Sequence, residues 1–353
     1  MLDFTKFTAD SLAVKSLRDL ISLITFQSEN WDKIITHMPG ALNGKKIGYI
    51  GKLAPVGTPG AGCGPTYVNG SIPGAEKAWV LGEWEVPLKI CYKDLIGTIA
   101  QYTLKKGTAV DDLTGGEYYT EIIMPSLEVA LNEMIWRLSW FGDIAAKNIA
   151  DAGVITAGVD VELMKTIDGF WKRLFKIGTD TPTQRTTIAA NAQLTTALQK
   201  STLLADGVAR GIFDDMIMNA HPSIAGQPGA GIFATKSLCD ALYYDMQQAK
   251  YAMQPWQTLF AGFEVSSYNG TPIYKVAEWD NMIIQFENGS TVLNLPHRAV
   301  FTFPENLLLG TDGNQPVTEI DSTFNKIDRY NYIYAKGEMG TVILHDNMVQ
   351  VAY

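Results

Sequence analysis

The hydrophobic pattern changes period several times along the chain, and each change marks an element. Up to about residue 36, Leu12, Leu17, Leu20, Ile21, Ile24, Ile34 and Ile35 form a loose helical stripe, broken near residues 27–30. So short an amphipathic arm has no core of its own and is expected to pack on something else. Residues 46–53 read as a strand and lead into a Gly- and Pro-rich tract, Pro55 to Gly74. The chain returns through residues 78–90, where Val80, Trp84, Val86, Leu88 and Ile90 alternate with Leu81, Glu83, Glu85, Pro87 and Lys89. Two strands joined by about twenty such residues predict a long hairpin over residues 43–92, and loops of that length are usually functional or disordered. An isolated two-stranded hairpin is marginal in water. This one is therefore expected to gain stability by lying on a neighbouring molecule.

Helical spacing follows. Residues 92–106 read as a short helix, and Asp111, Asp112, Thr114, Gly115 and Gly116 announce a longer one. Over residues 117–150, Ile123, Leu127, Ala130, Met134, Leu138, Phe141 and Ala145 recur every three or four positions. Some thirty helical residues would span roughly 45 Å, and Pro125 should kink this rod or sit in its first turn. After Gly153 the texture is mixed. Met164, Ile167, Trp171, Leu174 and Phe175 outline a helix with Lys165, Lys172, Arg173 and Lys176 on its wet side. Residues 202–219 predict another, stopped at His221-Pro222, and residues 231–235 a strand. Ser237 and Asp240 resemble a capping box for a helix running to about Lys250. Asn269-Gly270 and Asn288-Gly289 each sit between strand-like runs, a strong short-range hairpin signal. The chain closes with strands at residues 330–335, 340–344 and 348–353, and no internal repeat is visible.

Composition sharpens this picture. The 353 residues are 46% hydrophobic but only 18% charged, with 15 Tyr, 14 Phe and 8 Trp. That charged fraction is below the roughly 25% usual for soluble domains and suits surface that ends up inside contacts. The net charge is −9, and the basic groupings, Lys45-Lys46, Lys105-Lys106 and Lys172-Arg173, are too small to grip phosphates. Direct nucleic-acid binding is not expected. No signal-peptide pattern and no membrane-length apolar run is present, so a soluble chain made in a reducing cytoplasm is expected.

Candidate chemistry is sparse. Cys63, Cys91 and Cys239 lie far apart, without a CxxC pair, and His37, His221, His297 and His345 lack metal-ligand spacing. Gly57 to Gly64 has spaced glycines but no Lys-Ser/Thr end and no following helix, so it is not a phosphate loop. Cys63 sits in a Gly/Pro setting with no helix N-terminus to lower its pKa, and an inert loop cysteine is the simpler reading. Asp111-Asp112 and Asp214-Asp215 are explained by a helix approach and a helix surface. No catalytic, cofactor or metal site is expected. Long irregular extensions without chemistry point to an assembly unit.

In order, then, come an arm, a long hairpin with a Gly-rich tip, a long helix, a mixed α/β region and returning strands. This order resembles the major capsid proteins of tailed bacteriophages, the α+β Hong Kong 97 fold. Local stretches at residues 231–248, 268–273 and 295–313 are similar in texture. The resemblance implies an N-terminal arm (1–42), an extended loop (43–92), a peripheral domain with a spine helix (93–153), an axial domain (154–314) and C-terminal strands returning to the peripheral domain (315–353). It places Lys52, Pro55, Pro59, Cys63, Tyr67, Trp79 and Trp84 at inter-subunit contacts, and Leu127, Met134, Leu138 and Phe141 on the spine helix. It implies self-assembly into pentamers and hexamers of an icosahedral head enclosing double-stranded DNA, with scaffolding, portal and decoration proteins as partners and no membrane. Assembly would take place in the host bacterial cytoplasm and the product would be the virion capsid. A start at Met1 close to the arm favours a separate scaffold, and non-covalent locking is expected over cross-links through Lys45, Lys46, Lys52 or Lys77. Two alternatives stay open: an encapsulin-like compartment shell, and a Cys-dependent enzyme.

Overall fold

A computed structural model describes residues 34–50, 72, 74–91, 124–146, 161–250, 256–260, 263–289, 291–314, 319–325, 327–328 and 330–353. The expected arm helix, the helix over 92–106, the hairpin tip and the Asp111-Asp112 approach lie outside these residues. The elements are β1 (Thr36–Pro39), β2 (Lys46–Ile50), β3 (Gly74–Ala78), β4 (Gly82–Cys91), α1 (Met124–Phe141), α2 (Val161–Met164), α3 (Phe170–Asp180), β5 (Arg185–Thr186), α4 (Thr196–Leu203), α5 (Val208–Asn219), β6 (Gly231–Thr235), α6 (Lys236–Gln248), β7 (Gln257–Phe260), β8 (Phe263–Tyr268), β9 (Thr271–Val276), α7 (Ala277–Phe286), β10 (Ala299–Thr302), β11 (Leu307–Thr311), β12 (Glu319–Asn325), β13 (Tyr330–Ile343) and β14 (Gln350–Ala352).

Two sheets organise the chain. One is built around β13, which pairs along one edge with β4 and along the other with β12 and then β11, whose far side takes β1 in parallel. The other runs β5-β14-β10-β6-β9-β8-β7. Its middle strands β6 and β10 are buried at every residue, which is why they read as continuous apolar runs instead of alternating ones. At the β8–β9 turn, Asn269 and Gly270 both adopt positive φ (48° and 77°), the backbone a two-residue type I′ hairpin demands.

The main core lies under the inner face of the first sheet. Helix α1 contributes Leu127, Leu131, Met134, Ile135, Trp136, Leu138, Trp140 and Phe141, all buried. Trp140 meets Trp279 at 4.6 Å, Phe170 at 5.0 Å and Trp171 at 5.7 Å between ring centroids. Beside this aromatic cluster the guanidinium of Arg298, almost fully buried, pairs with the Glu287 carboxylate and faces the rings of Phe141, Trp171 and Phe175 at 5.3–5.5 Å. A charge so deep is tolerable only with such partners.

Several expectations change. Helix α1 stops at Phe141 instead of Ala150, and its 18 described residues span about 27 Å. Gly142 ends it: a Cβ there would sit 2.6 Å from the Ile167 carbonyl oxygen, and the Gly169 N–H donates to the Gly142 carbonyl at 2.8 Å. Ala130 and Ala145 are exposed, so the buried stripe runs instead through Leu131 and Ile135. The helix around Trp171 is two pieces, α2 and α3, and residues 202–219 split into α4 and α5 at Gly207, whose φ is +78°. Asn288-Gly289 makes a single bridge, Asn288 to Leu293, not a hairpin. Residues 330–343 form one uninterrupted strand, and β14 joins the second sheet, not the first.

Candidate functional site

The region singled out by sequence is divided by the fold. β2 and β3 pair antiparallel, from Lys46 with Ala78 to Ile50 with Gly74. The returning strand does not continue to residue 90 in that pairing. It breaks at residues 79–81, and β4 runs along β13 from Gly82 with Met339 to Cys91 with Tyr330. The hairpin is thus shorter than expected, residues 46–78, and residues 82–91 belong to the body.

Trp79 and Trp84, expected at inter-subunit contacts, are each 3% exposed and are used inside their own chain. Trp84 joins the main core, because its position in β4 points it inward beside exposed Glu83 and Glu85. Trp79 roots the hairpin: with Ala41, Leu308 and Val342 it forms a small buried cluster on the outer face of β11 and β13. Gly310 makes room for the indole, since a Cβ there would meet Trp79 Cζ3 at 2.7 Å. Backbone bonds fix the same corner, Trp79 N–H donating to the Lys45 carbonyl at 3.0 Å and Gly44 N–H to the Trp79 carbonyl at 2.9 Å.

Two contacts hold the strands to the body beyond this root. Lys77 Nζ donates to the Ile343 carbonyl at 2.6 Å and to Asp346 Oδ1 at 2.5 Å. The Tyr49 ring lies over His345 at 3.7 Å between centroids, and burial together with the Lys77 cation lowers the His345 pKa. Sequence reasoning missed both, because Lys77 and His345 are 268 positions apart and only the tertiary packing of the β2–β3 pair beside the segment that follows β13 brings them near each other. Lys52, Pro55, Pro59, Cys63 and Tyr67 lie outside the described residues. Leu127, Met134, Leu138 and Phe141 all lie buried on α1.

Another polar cluster lies at the start of α6. No capping box forms. Asp280 of α7 accepts the N–H groups of Lys236 at 2.5 Å and Ser237 at 3.1 Å, taking the role expected of Ser237 and Asp240. Ser237 Oγ lies 2.9 Å from His297 Nδ1. Burial pushes the Asp280 carboxyl up to about 6 against those two donors, and burial lowers His297 to about 4. The carboxylate bonds the serine and the helix end instead of orienting the imidazole, so these groups are not arranged as a nucleophile, a base and its orienting acid. The cluster floors a groove of about 520 Å³ between α4, α6 and α7, rimmed by Leu204, Tyr244 and Ile284. Of the other groups considered, Cys239 is fully buried, which raises its thiol pKa well above normal and makes it inert. Asp214 accepts from the Tyr268 hydroxyl at 2.8 Å. Among the described residues no group of His, Cys, Asp and Glu is arranged to hold a metal, and no helix is long and apolar enough to cross a membrane.

What the geometry presents is therefore a body of two sheets with a rooted hairpin, and chains of phage and GTA particles resemble it. A chain from a satellite phage P4 procapsid that includes the size determination (Sid) protein superposes with a TM-score of 0.54 at 11% identity, covering 92% of this chain and 94% of the other. A chain of Gordonia phage Cozz gives 0.52 at 12% identity, covering 95% and 91%. A chain from the capsid of an empty GTA particle gives 0.52 at 10% identity, covering 95% and 92%. No family model matches the sequence, and no curated protein matches it. The chain has the fold of tailed-phage major capsid proteins, the α+β Hong Kong 97 type.

Proposed function

We propose that this chain is a shell subunit, the major capsid protein of a tailed phage, which assembles with copies of itself into pentamers and hexamers of an icosahedral head. The observation that carries the reading is the end-to-end likeness to capsid chains, over 92% of this chain and 94% of the P4 procapsid chain, with the hairpin rooted on the body. In this reading function is geometry. The hairpin leaves its root at Trp79 in a direction fixed by Lys77 and Asp346, and it reaches a neighbour. Repeated heterologous contacts close into rings, and rings into a shell. The enclosed cargo is double-stranded DNA, held without sequence-specific contacts by a wall of net charge −9. A scaffolding protein, a portal and a decoration protein are the partners such a head uses, and the finished location is the virion, after assembly in the host cytoplasm. The chain acts without catalysis of its own.

The test is deletion of residues 55–74. The expected variant is folded and soluble, with a thermal midpoint close to that of the parent, and forms no closed shells by negative-stain microscopy. Normal shells from it would overturn the role given to the hairpin.

A further inference from the structure

The groove between α4, α6 and α7 holds about 520 Å³, within the range of small-molecule sites, and most of its lining is apolar. Leu203, Ala241 and Ile283 line it as buried side chains. Tyr244 and Ile284, on the same lining, are 44% and 54% exposed. Burial holds the Asp280 carboxyl up at about 6 and His297 down at about 4, and displaced ionisable groups in a recess mark a functional-site candidate.

The polar groups decide what fits. The Gln199 amide donates to the Asn191 and Leu293 carbonyls and accepts the Leu293 N–H. Asp280 accepts the first N–H groups of α6, and Ser237 Oγ is bonded to His297. These groups are satisfied within the chain, so an apolar body can lie over them without stripping a bond. Four charged side chains line the groove: Lys200, Lys236, Asp240 and Asp280. Lys236 pairs with Asp240, and Asp280 is engaged as just described. The Lys200 ammonium, exposed on α4, has no ion pair or hydrogen bond among the described residues.

We infer that this groove is a binding site for an anionic amphiphile with one head group, a free medium-chain carboxylate in the simplest case. Its hydrocarbon chain lies along Leu203, Ile283 and Ile284 under the Tyr244 ring, and its carboxylate meets the Lys200 ammonium. Each methylene taken from water into such a trough tightens binding about fourfold. The exposed ion pair adds less, and selects the sign of the head group. Such binding is independent of the shell-subunit reading.

Isothermal titration calorimetry of the full-length protein tests this, with octanoate, decanoate and decyltrimethylammonium each kept below its micelle concentration. Decanoate is expected to bind at one molecule per chain, about 15-fold tighter than octanoate for its two extra methylenes. Decyltrimethylammonium, with the same chain and the opposite charge, is expected to bind about fivefold more weakly than decanoate. Lys200→Glu should reverse that preference. Tyr244→Gln combined with Ile284→Gln should weaken decanoate about tenfold. These side chains are exposed, so circular dichroism and the thermal midpoint are expected to stay at the parent's values. Absence of saturable decanoate binding would overturn the proposal. So would equal binding of the cation, or a double variant that binds decanoate as the parent does, which would put the ligand elsewhere. Loss of self-association in the double variant, with no decanoate binding by the parent, would assign the groove to a second copy and overturn it as well.

Discussion

At the scale of single residues, the polar floor at the start of α6 makes the sharpest prediction. Asp280 is raised from 3.8 to about 6 by burial, so the folded state prefers it protonated. Its contribution to stability is full below pH 3.8 and is lost as pH rises through 6. His297 is lowered from 6.5 to about 4, so the folded state prefers it neutral. Its contribution is full above pH 6.5 and is lost as pH falls through 4. Each is on the order of 3 kcal/mol at most, and the two nearly cancel between those limits. Asp280→Asn keeps an acceptor for the N–H groups of α6 but removes the titration. Urea unfolding of this variant is expected to show stability falling by about 3 kcal/mol more than the parent on going from pH 6.5 to 4. His37 and His345, also lowered by burial, shift both proteins in the same direction and drop out of the comparison. Parallel pH profiles would contradict the coupling. The sequence offered no role for either, since His297 reads as a lone His beside Pro296 and an Asp inside a helix carries no local signal. α7 packing beside α6 brings Asp280 to Ser237, and the pairing of β10 with β6 brings His297 to the same serine.

At the scale of elements, the hairpin depends on its root. Trp79→Ala empties the cluster formed with Ala41, Leu308 and Val342 and is expected to cost about 3–5 kcal/mol. The loss should be read as a lower thermal midpoint together with faster amide exchange at residues 46–50 and 74–78. Leu42→Ala, at a side chain 61% exposed, should change both very little. Unchanged exchange in the Trp79 variant would mean that the hairpin is held by something other than this corner. Local pattern made β2, β6, the Asn269-Gly270 turn and the apolar face of α1 and α3 legible, because each rests on short-range periodicity or turn chemistry. The division of residues 78–90 was not legible. Trp79, Val80 and Leu81 read as an unbroken apolar run with only Gly82 after it, and the pairing of residues 82–91 with β13 is what separates β4 from the hairpin. The end of α1 was missed for a similar reason: Gly142 weakens a helix modestly by propensity, and the crossing with Ile167 makes it final.

At the scale of the whole molecule, order and spacing were more informative than any motif. Hairpin strands, helix, mixed region and returning strands were each visible in outline, and solved chains at 10–12% identity share this fold. Topology was harder, since a 14-residue β13 serving β4, β11 and β12 together, with β14 crossing to the other sheet, is set by long-range pairing. That shared strand ties β4, which follows the hairpin, to β11 and β12, and it gives the shell-subunit proposal its physical content. Electron microscopy of the purified full-length protein, incubated at micromolar concentration and low salt, tests this most directly. Closed particles of uniform diameter with five- and six-membered rings in their walls are the outcome this account predicts. A population that stays monomeric, or that grows into open filaments, would contradict it.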